Sequence, residues 1–312
     1  MKKIVFLDEY SIAGRDLQKI TSQGEYKSYS FTRKEEVVER LRDADIAITN
    51  KVIIDGEAMR QLPNLKLICI AATGMNNVDL VTAKELGIEV KNAVGYSTTS
   101  VAETTLASAL ALARNVVYFD EYFHDGRYAK AERAFCYDRL TFEIRGKRWG
   151  IIGMGNIGRE VARLATAFGC EVRYFSTSGV RREEEYQAME LAELLEWCDI
   201  LSVHSPLNER TRGLIGREEL QKMKTSALVI NVARGGIIDE AALAEALDNG
   251  WIAAAALDVF SVEPLRESPL YNIKDRYRLL ASPHNAWSAA EAIDRLIECI
   301  ARNIEAWADD HK

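Results

Sequence analysis

The fold class follows from one segment, Trp149-Gly150-Ile151-Ile152-Gly153-Met154-Gly155-Asn156-Ile157-Gly158. Its first four residues predict a buried β-strand, and a helical pattern runs from residue 157 to residue 168. In the turn between them, the first glycine permits a tight bend, the second lets the backbone approach a pyrophosphate, and the third lets helix and strand pack closely. The helix N-terminus offers N–H groups to the phosphates, so the segment predicts a dinucleotide site. An ordinary glycine-rich loop is the alternative.

Strands and helices alternate along the rest of the chain. Short apolar runs predict further strands at residues 4–7, 46–49, 67–71, 172–175, 200–203, 227–232, 253–257 and 279–281. Helical patterns cover residues 34–42, 98–119, 191–197, 240–249 and 289–309. Alternation of this kind predicts an α/β fold with parallel sheets and helices on both faces.

The position of the glycine turn divides the chain. A length of 312 residues suggests about two domains. A dinucleotide fold usually begins with its glycine turn, yet here the turn lies at mid-chain. We therefore expect a separate α/β domain in residues 1–97 and the cofactor domain in residues 98–286. The last helix, in residues 287–312, is expected to return to the first domain.

Composition argues against several classes of protein. The chain has 40 basic and 47 acidic residues and a net charge of −7, so no basic excess is available to bind nucleic acid. Its most apolar helical stretch, residues 104–113, is too short to span a membrane. The five cysteines show no metal-ligand spacing, which predicts reduced thiols, no metal site and a cytoplasmic location.

The strand at residues 172–175 bears on which dinucleotide is bound. NAD-binding folds usually place a carboxylate at the end of this strand to bind the ribose 2′-hydroxyl. Here the strand is followed by Ser176, Thr177 and Ser178, and Arg181 and Arg182 come soon after. Hydroxyl and guanidinium groups would bind a 2′-phosphate, so the sequence favours NADP(H) and leaves NAD(H) open. Alternatively, the arginines are solvated charges balanced by the acidic residues at 183–185.

Three polar residues follow the ends of three other strands. Ligands bind outside the carboxyl ends of the strands in an open parallel sheet, where Arg234, Glu263 and His284 are expected. Histidine suits proton transfer to or from an alcohol, and a carboxylate partner stabilises its charged form. Arginine binds a planar carboxylate through two hydrogen bonds. The alternatives are a surface ion pair for Arg234, an exposed turn for Glu263 and a helix cap for His284.

Taken together, these motifs resemble the D-isomer-specific 2-hydroxyacid dehydrogenases, among them glyoxylate/hydroxypyruvate reductases, glycerate dehydrogenases and D-lactate dehydrogenases. The resemblance covers nearly the whole chain. It rests on the glycine turn and on residues 72–79, 95–97, 100–103, 231–240, 257–260, 263–264 and 282–287. It implies two doubly wound parallel-sheet domains, a Rossmann cofactor domain and a flavodoxin-like substrate domain, with an active-site cleft between them.

The resemblance also implies roles for individual residues. Arg234 would bind and polarise the substrate, His284 would be the acid/base, and Glu263 would be its partner. The substrate would also meet Thr73 and Gly74, whose backbone N–H groups receive a carboxylate. The expected cofactor contacts are Thr73, Gly153, Gly155, Asn156, Ile157, Gly158, Ser176, Thr177, Ser178, Arg181, Ser205, Val232, Ala233, Arg234, Asp258, His284 and Ala286. Family members are commonly homodimers built on the long helix, here near residues 98–119.

One departure from the family pattern refines the expectation. NAD-using members carry Asp where this chain has Ser176, so it resembles more nearly the NADPH-using glyoxylate/hydroxypyruvate reductases, as Trp287 also suggests. We expect reduction of a small 2-oxo acid to a D-2-hydroxy acid, or the reverse reaction. His204 is expected to have a structural or adenine-side role. The alternatives are a dinucleotide-sensing protein like the co-repressors of this fold, and oxidation of formate or phosphite on the same scaffold.

Overall fold

The chain forms two compact units. A computed structural model describes residues 1–179 and 184–311. The first unit comprises Met1–Ser97 and Ser288–Lys312, and the second comprises Thr98–Trp287. Within the described residues, no helix combines the length and apolar character needed to cross a membrane.

The first unit contains a five-stranded parallel sheet. Its strand order is β2-β1-β3-β4-β5, which is the flavodoxin-like order. Of the three inner strands, β3 and β4 are buried along their whole length and consist mainly of Ile, Leu and Ala, as expected for strands covered on both faces. The elements are β1 Lys3–Phe6, α1 Gln18–Thr21, β2 Glu25–Ser28, α2 Val37–Leu41, β3 Ile46–Thr49, α3 Gly56–Arg60, β4 Leu67–Ile70, α4 Leu80–Glu85 and β5 Glu89–Asn92.

A buried carboxylate ties together the loops at the carboxyl edge of this sheet. Asp8, just after β1, accepts the backbone N–H groups of Asn50 at 2.8 Å and of Lys51 at 2.7 Å. Burial raises the pKa of Asp8, and these N–H donors oppose that shift. The Asn50 side chain in turn donates to the carbonyl of Ala71 at 2.8 Å. The loops after β1, β3 and β4 are therefore held as one group.

The second unit contains a seven-stranded parallel sheet. Its strand order is β12-β11-β10-β9-β6-β7-β8, in which a Rossmann arrangement gains one further strand at the β12 edge. The elements are α5 Thr98–Ala113, α6 Val116–His124, β6 Arg148–Ile152, α7 Asn156–Ala167, β7 Glu171–Phe175, β8 Gln187–Ala188, α8 Leu191–Trp197, β9 Ile200–Val203, α9 Arg217–Lys222, β10 Leu228–Asn231, α10 Glu240–Asn249, β11 Ala254–Leu257 and β12 Leu279–Ala281. The prediction of two doubly wound parallel sheets is confirmed.

The last helix, α11 Ala290–Asp310, packs within the first unit. Its apolar residues, including Ile293, Leu296 and Ile300, are buried at the three- and four-residue spacing of one helix face. On its polar side, Asp294 forms an ion pair with Arg15, and Arg295 donates to the carbonyl of Tyr96 at 2.9 Å.

The predicted helix at residues 98–119 is wrong as a single element. The structure has α5 and α6, separated at Asn115, whose φ of 50° is in the left-handed region. Asparagine tolerates this conformation better than most residues, so the chain changes direction there. Three short strands, β2, β5 and β8, escaped prediction because they lie at sheet edges and lack a continuous apolar run. Short 3-10 helices occur at Glu9–Ile12, Lys34–Glu36, Tyr128–Lys130, Pro269–Asn272 and Arg276–Arg278.

Candidate active site

The glycine turn has the backbone geometry of a phosphate-binding turn. Gly153 directly follows β6 with φ of 94°, and a Cβ there would lie 2.9 Å from the Ser205 nitrogen. A Cβ on Gly158 would lie 2.2 Å from the Gly153 carbonyl oxygen, so α7 can pack against the turn only with glycine there. A Cβ on Gly155 would meet nothing within 4 Å. Gly155 therefore faces open space at the N-terminus of α7, where a pyrophosphate could be bound.

Two substitutions separate the packing role of these glycines from their binding role. We expect Gly158→Ala to destabilise the protein by about 1–3 kcal/mol, because the added methyl overpacks against backbone that cannot yield. Gly155→Ala should leave stability nearly unchanged but weaken cofactor binding, because its methyl occupies the open space. Thermal unfolding and cofactor titration measure the two effects. Equal melting temperatures for the two variants would contradict this assignment.

A pocket of about 250 Å³ lies beside this turn, at the carboxyl ends of β6, β7 and β9. The order of strands in the sheet reverses between β6 and β9, the place where open α/β sheets bind ligands. The lining residues are Gly153, Met154, Gly155, Tyr174, Ser176, Thr177, Ser178, Glu184, His204, Ser205, Pro206 and Asn208. Buried Ser205 Oγ and His204 Nδ1 have no hydrogen-bond partner within the described part of the chain. These atoms and the open glycine turn fit a bound dinucleotide.

His204 is held in an uncharged state. Its Nε2 lies 3.0 Å from Ser202 Oγ, and Trp149 donates its indole N–H to the same oxygen at 2.9 Å. Burial lowers the pKa of His204 to about 3. A neutral imidazole at physiological pH fits the structural or adenine-side role expected for this residue.

The segment after β7 places both hydroxyls and a carboxylate at the pocket. Ser176 Oγ and Ser178 Oγ lie 3.2 Å apart. Sequence reasoning missed Glu184, which also lines the pocket and receives two hydrogen bonds from Arg159 of α7, at 2.9 and 2.5 Å. The guanidinium therefore offsets the charge of this carboxylate. The predicted contact Arg181, with its neighbour Arg182, lies outside the described residues.

The predicted acid/base and its partner are in direct contact. His284 Nδ1 lies 2.6 Å from Glu263 Oε2, and Glu263 Oε1 accepts the Phe260 N–H at 3.0 Å. The histidine adopts a φ of 57°, which is uncommon for a residue other than glycine. Its backbone N–H donates to the Asp258 carbonyl at 2.8 Å. Strained backbone of this kind is often found at functional sites.

Asp258 anchors the turn that carries His284. Its side chain accepts hydrogen bonds from the Ser282 hydroxyl at 2.5 Å and from the backbone N–H groups of Asn285 and Ala286, both at 2.8 Å. Asp258 is 2% exposed, so its carboxylate is buried and compensated by these donors. It was predicted as a cofactor contact, and the structure adds a positioning role that orients His284.

The turn carrying Arg234 packs directly against the segment that leads to Glu263. The Asn231 side chain closes the turn, accepting the Ala233 N–H at 3.1 Å and donating to the Arg234 carbonyl at 2.9 Å. A Cβ on Gly235 would lie 1.9 Å from the carbonyl carbon of Phe260, so only glycine permits this approach. Sequence reasoning assigned no role to Asn231 or Gly235, although the Gly235-Gly236 pair was a signal of close backbone packing.

The other residues that the sequence predicted to contact cofactor or substrate lie in loops or at the start of a helix. Asn156 and Ile157 begin α7, and Val232 and Ala233 follow β10. The buried Ala286 carbonyl accepts the Ser100 hydroxyl of α5 at 2.6 Å. In the first unit, Thr73 and Gly74 follow β4, where the Thr73 carbonyl accepts the Asn92 side chain at 2.7 Å. Their predicted contacts with substrate and cofactor stay predictions.

Comparison with known proteins agrees with this arrangement. Residues 106–286 match the family model described as the NAD binding domain of D-isomer specific 2-hydroxyacid dehydrogenase. The glycerate dehydrogenase of Methylorubrum extorquens is 38% identical over 308 residues, covering 98% of this chain and 96% of that protein. The hydroxypyruvate reductase of Blautia hydrogenotrophica is 35% identical over 311 residues, covering 97% and 96%.

A solved structure is similar over the same extent. An acyclic imino acid reductase in complex with NADPH and D-Arg superposes with a TM-score of 0.86 at 30% identity, covering 99% of this chain and 97% of that one. The family match, the near full-length relatives and the order of strands in both sheets all agree. The chain belongs to the family of D-isomer specific 2-hydroxyacid dehydrogenases.

Proposed function

We propose that this nicotinamide-dependent dehydrogenase reduces a small 2-oxo acid to a D-2-hydroxy acid with NADPH. Arg234 binds the substrate, His284 supplies the proton, and Glu263 is the partner of His284. The observation that carries the proposal is the 2.6 Å contact between His284 Nδ1 and Glu263 Oε2. It provides the acid/base pair that reversible oxidation of an alcohol requires.

The proton step follows from which nitrogen of His284 is engaged. Because Nδ1 contacts Glu263, the free nitrogen Nε2 is the one that delivers a proton to the substrate oxygen. The carboxylate stabilises the imidazolium before transfer, and in the reverse direction it favours removal of the hydroxyl proton. The hydrogen bond from Phe260 to Glu263 holds the carboxylate in place.

Arg234 provides the positive charge for the substrate. Its guanidinium can hold a carboxylate through two parallel hydrogen bonds and can polarise the neighbouring carbonyl at C2. Its Nη1 donates to the Ala233 carbonyl at 2.7 Å, which orients the group and leaves further N–H donors. A bound nicotinamide would exchange a hydride with C2 of the acid.

The proposed preference for NADPH rests on the chemistry of the pocket. Ser176, Thr177 and Ser178 present hydroxyls where a carboxylate would repel a 2′-phosphate. Glu184, the one carboxylate among the described residues that line the pocket, is paired with Arg159. The similar imino acid reductase also binds NADPH, which is consistent with this preference.

Ser176→Asp should move the preference toward NADH. The new carboxylate can accept the ribose 2′-hydroxyl of NADH and repels the 2′-phosphate of NADPH. We expect the ratio of kcat/KM for NADPH to that for NADH to fall by at least about tenfold, or about 1.4 kcal/mol. Ser176→Thr, which keeps the hydroxyl, is the matched control and should change this ratio little. A wild-type enzyme that prefers NADH would contradict the cofactor assignment.

A substrate panel tests the reaction itself. Glyoxylate, hydroxypyruvate, pyruvate and phenylpyruvate are each offered with NADPH and with NADH, and product chirality is determined for any active pair. Failure of every acid with both cofactors would refute the proposed reduction. A parallel series contains ammonium or an amine, because the similar imino acid reductase acts on a C=N bond by its name. Turnover only in that series would replace the 2-oxo acid with an imino acid.

A homodimer and a cytoplasmic location are further parts of the proposal. A group of exposed apolar side chains lies on α6 and the segment after it, whereas α5 carries no large exposed apolar side chain. Phe123, Phe135, Tyr137 and Leu140 are 62%, 74%, 76% and 81% exposed. An aromatic surface of this kind suggests a protein partner, which we take to be a second copy. All five cysteines are free thiols, which supports a reducing compartment.

The oligomeric state can be measured directly. The chain has a mass of 35.0 kDa, and we expect light scattering to give about twice this value. Leu140→Glu should shift the protein toward the monomer, because a charge would be buried in the interface. Val262→Glu, at another exposed apolar residue, is the control and should remain dimeric. A monomeric wild-type protein at micromolar concentration would contradict the homodimer.

A further inference from the structure

We propose that Arg210 is a second determinant of cofactor specificity, whose guanidinium binds the 2′-phosphate of NADP(H). The inference rests on the proposed preference for NADPH and deepens it. Arg210 lies in the connection between β9 and α9, 32 residues beyond Ser178 in the sequence. The sequence around the glycine turn and β7 does not indicate that Arg210 contacts the cofactor. Arg210 lies beside Ser178 only because the chain folds.

The position of the side chain is the first argument. Arg210 Nη1 donates to the backbone carbonyl of Ser178 at 3.2 Å. Ser176 and Ser178 line the cofactor pocket, and so does Asn208, whose side-chain oxygen accepts the backbone N–H of Arg210 at 2.9 Å. The guanidinium therefore lies against the segment whose hydroxyls are expected to face the ribose 2′ position.

The backbone at Arg210 is firmly held, which is the second argument. The next residue, Thr211, is 0% exposed. Its hydroxyl donates to the Pro206 carbonyl at 2.7 Å and accepts the Asn208 N–H at 2.8 Å. An arginine on an anchored backbone, already docked on Ser178, loses less conformational freedom when it binds a ligand.

The third argument is the charge that Arg210 has available. Within residues 1–179 and 184–311, Arg210 forms no ion pair with a carboxylate, whereas Arg159 forms an ion pair with Glu184. The hydrogen bond to Ser178 engages one N–H of a group that has five. A guanidinium with free donors beside an open pocket is suited to a phosphate, which it binds through charge-assisted hydrogen bonds.

Binding of two nucleotides tests the proposal without relying on turnover. Calorimetry of the full-length protein compares adenosine 2′,5′-bisphosphate, which carries the 2′-phosphate, with ADP, which does not. We expect Arg210→Ala to raise the Kd for the bisphosphate about tenfold and to leave the Kd for ADP unchanged. Arg210→Gln, which keeps the length of the side chain and removes its charge, should behave in the same way. Arg42→Ala makes the same charge change in the first unit and should affect neither ligand.

The outcomes are distinguishable. If Arg210 only braced the Ser178 loop, its loss would weaken both nucleotides equally, and the proposal would be overturned. It would also be overturned if Arg210→Gln left the bisphosphate affinity unchanged in a protein that still favours this ligand. A wild-type protein whose kcat/KM with NADH equals or exceeds that with NADPH would instead refute the underlying preference for NADPH, and Arg210 with it. Melting temperatures of the variants establish that each is folded.

Discussion

His284→Ala is expected to reduce kcat by at least about 10²–10⁴-fold, because the variant has no group to deliver the proton. Nδ1 of this residue is engaged by Glu263 at 2.6 Å, so the pair acts as one unit. Loss of the imidazole leaves the substrate oxygen with water as its only proton donor. Steady-state kinetics with the best acid of the panel measure the effect.

The controls for this variant follow from the backbone and from the position of the pocket. His284 has a φ of 57°, and alanine pays a cost of roughly 1–2 kcal/mol there. Asparagine tolerates this φ better than alanine does, and its side chain cannot deliver a proton to the substrate oxygen. His284→Asn should therefore be as inactive as the alanine variant. Cofactor affinity should fall far less than kcat in both variants, because His284 is only one of many expected cofactor contacts and the pocket lies after β6, β7 and β9. Near-normal turnover of His284→Asn would remove His284 from the mechanism.

Glu263→Gln should cause a smaller loss of kcat than either substitution of His284. Glutamine keeps an oxygen that can accept a hydrogen bond from the imidazole and removes the negative charge that stabilises its protonated form. Comparison of kcat for the Glu263 and His284 variants therefore separates two roles of Glu263, the orientation of the imidazole and the stabilisation of its charged form. A loss larger than that of His284→Asn would contradict the assignment of Glu263 as the partner.

Arg234→Lys is expected to lower kcat/KM for the 2-oxo acid by about 10²–10³-fold. Lysine keeps the charge, but it cannot form the two parallel hydrogen bonds that hold a planar carboxylate. The turn itself should persist, because Asn231 closes it through the backbone at positions 233 and 234. Steady-state kinetics with saturating cofactor separate this loss from any effect on the dinucleotide.

Two comparisons make this result specific. A simple aldehyde lacks the carboxylate, so wild type and Arg234→Lys should reduce it at rates that differ far less than their rates with the acid. Arg217→Lys, on α9 and paired with Glu245, is the matched control and should be indistinguishable from wild type with both substrates. If the aldehyde and the acid lost activity equally, Arg234 would not be the group that binds the carboxylate.

Local sequence was sufficient for the fold class and for placing the candidate site residues after the ends of their strands. The central strands β9, β10 and β11 are buried over their whole length, so their apolar runs were unmistakable. Parallel strands all end at the same edge, and residues following several strands could therefore be assigned to one rim. Where apolar runs were short, as in β2 and β8, the pattern was too weak to detect.

Other features depended on contacts between distant parts of the chain. The role of Asp258 in holding the His284 turn arises from hydrogen bonds to residues 24 to 28 positions away. Glu184 enters the cofactor pocket because Arg159, 25 residues earlier, binds it. Arg210 reaches Ser178 across 32 residues. No pattern of local spacing encodes such pairs, since chain folding decides which side chains meet.

The amino-acid sequence alone was enough to predict an α/β dinucleotide-binding protein and its family, and it made Arg234, Glu263 and His284 the candidate reactive groups. Residue type and short-range periodicity predicted the fold class, and the resemblance of the motifs predicted the family. Only the tertiary structure revealed the 2.6 Å contact between His284 and Glu263, the paired Glu184 carboxylate in the cofactor pocket and the guanidinium of Arg210 beside it. The energy of interaction between two charged groups depends on the distance between them. The fold determines that distance, and the spacing of the residues in the sequence does not.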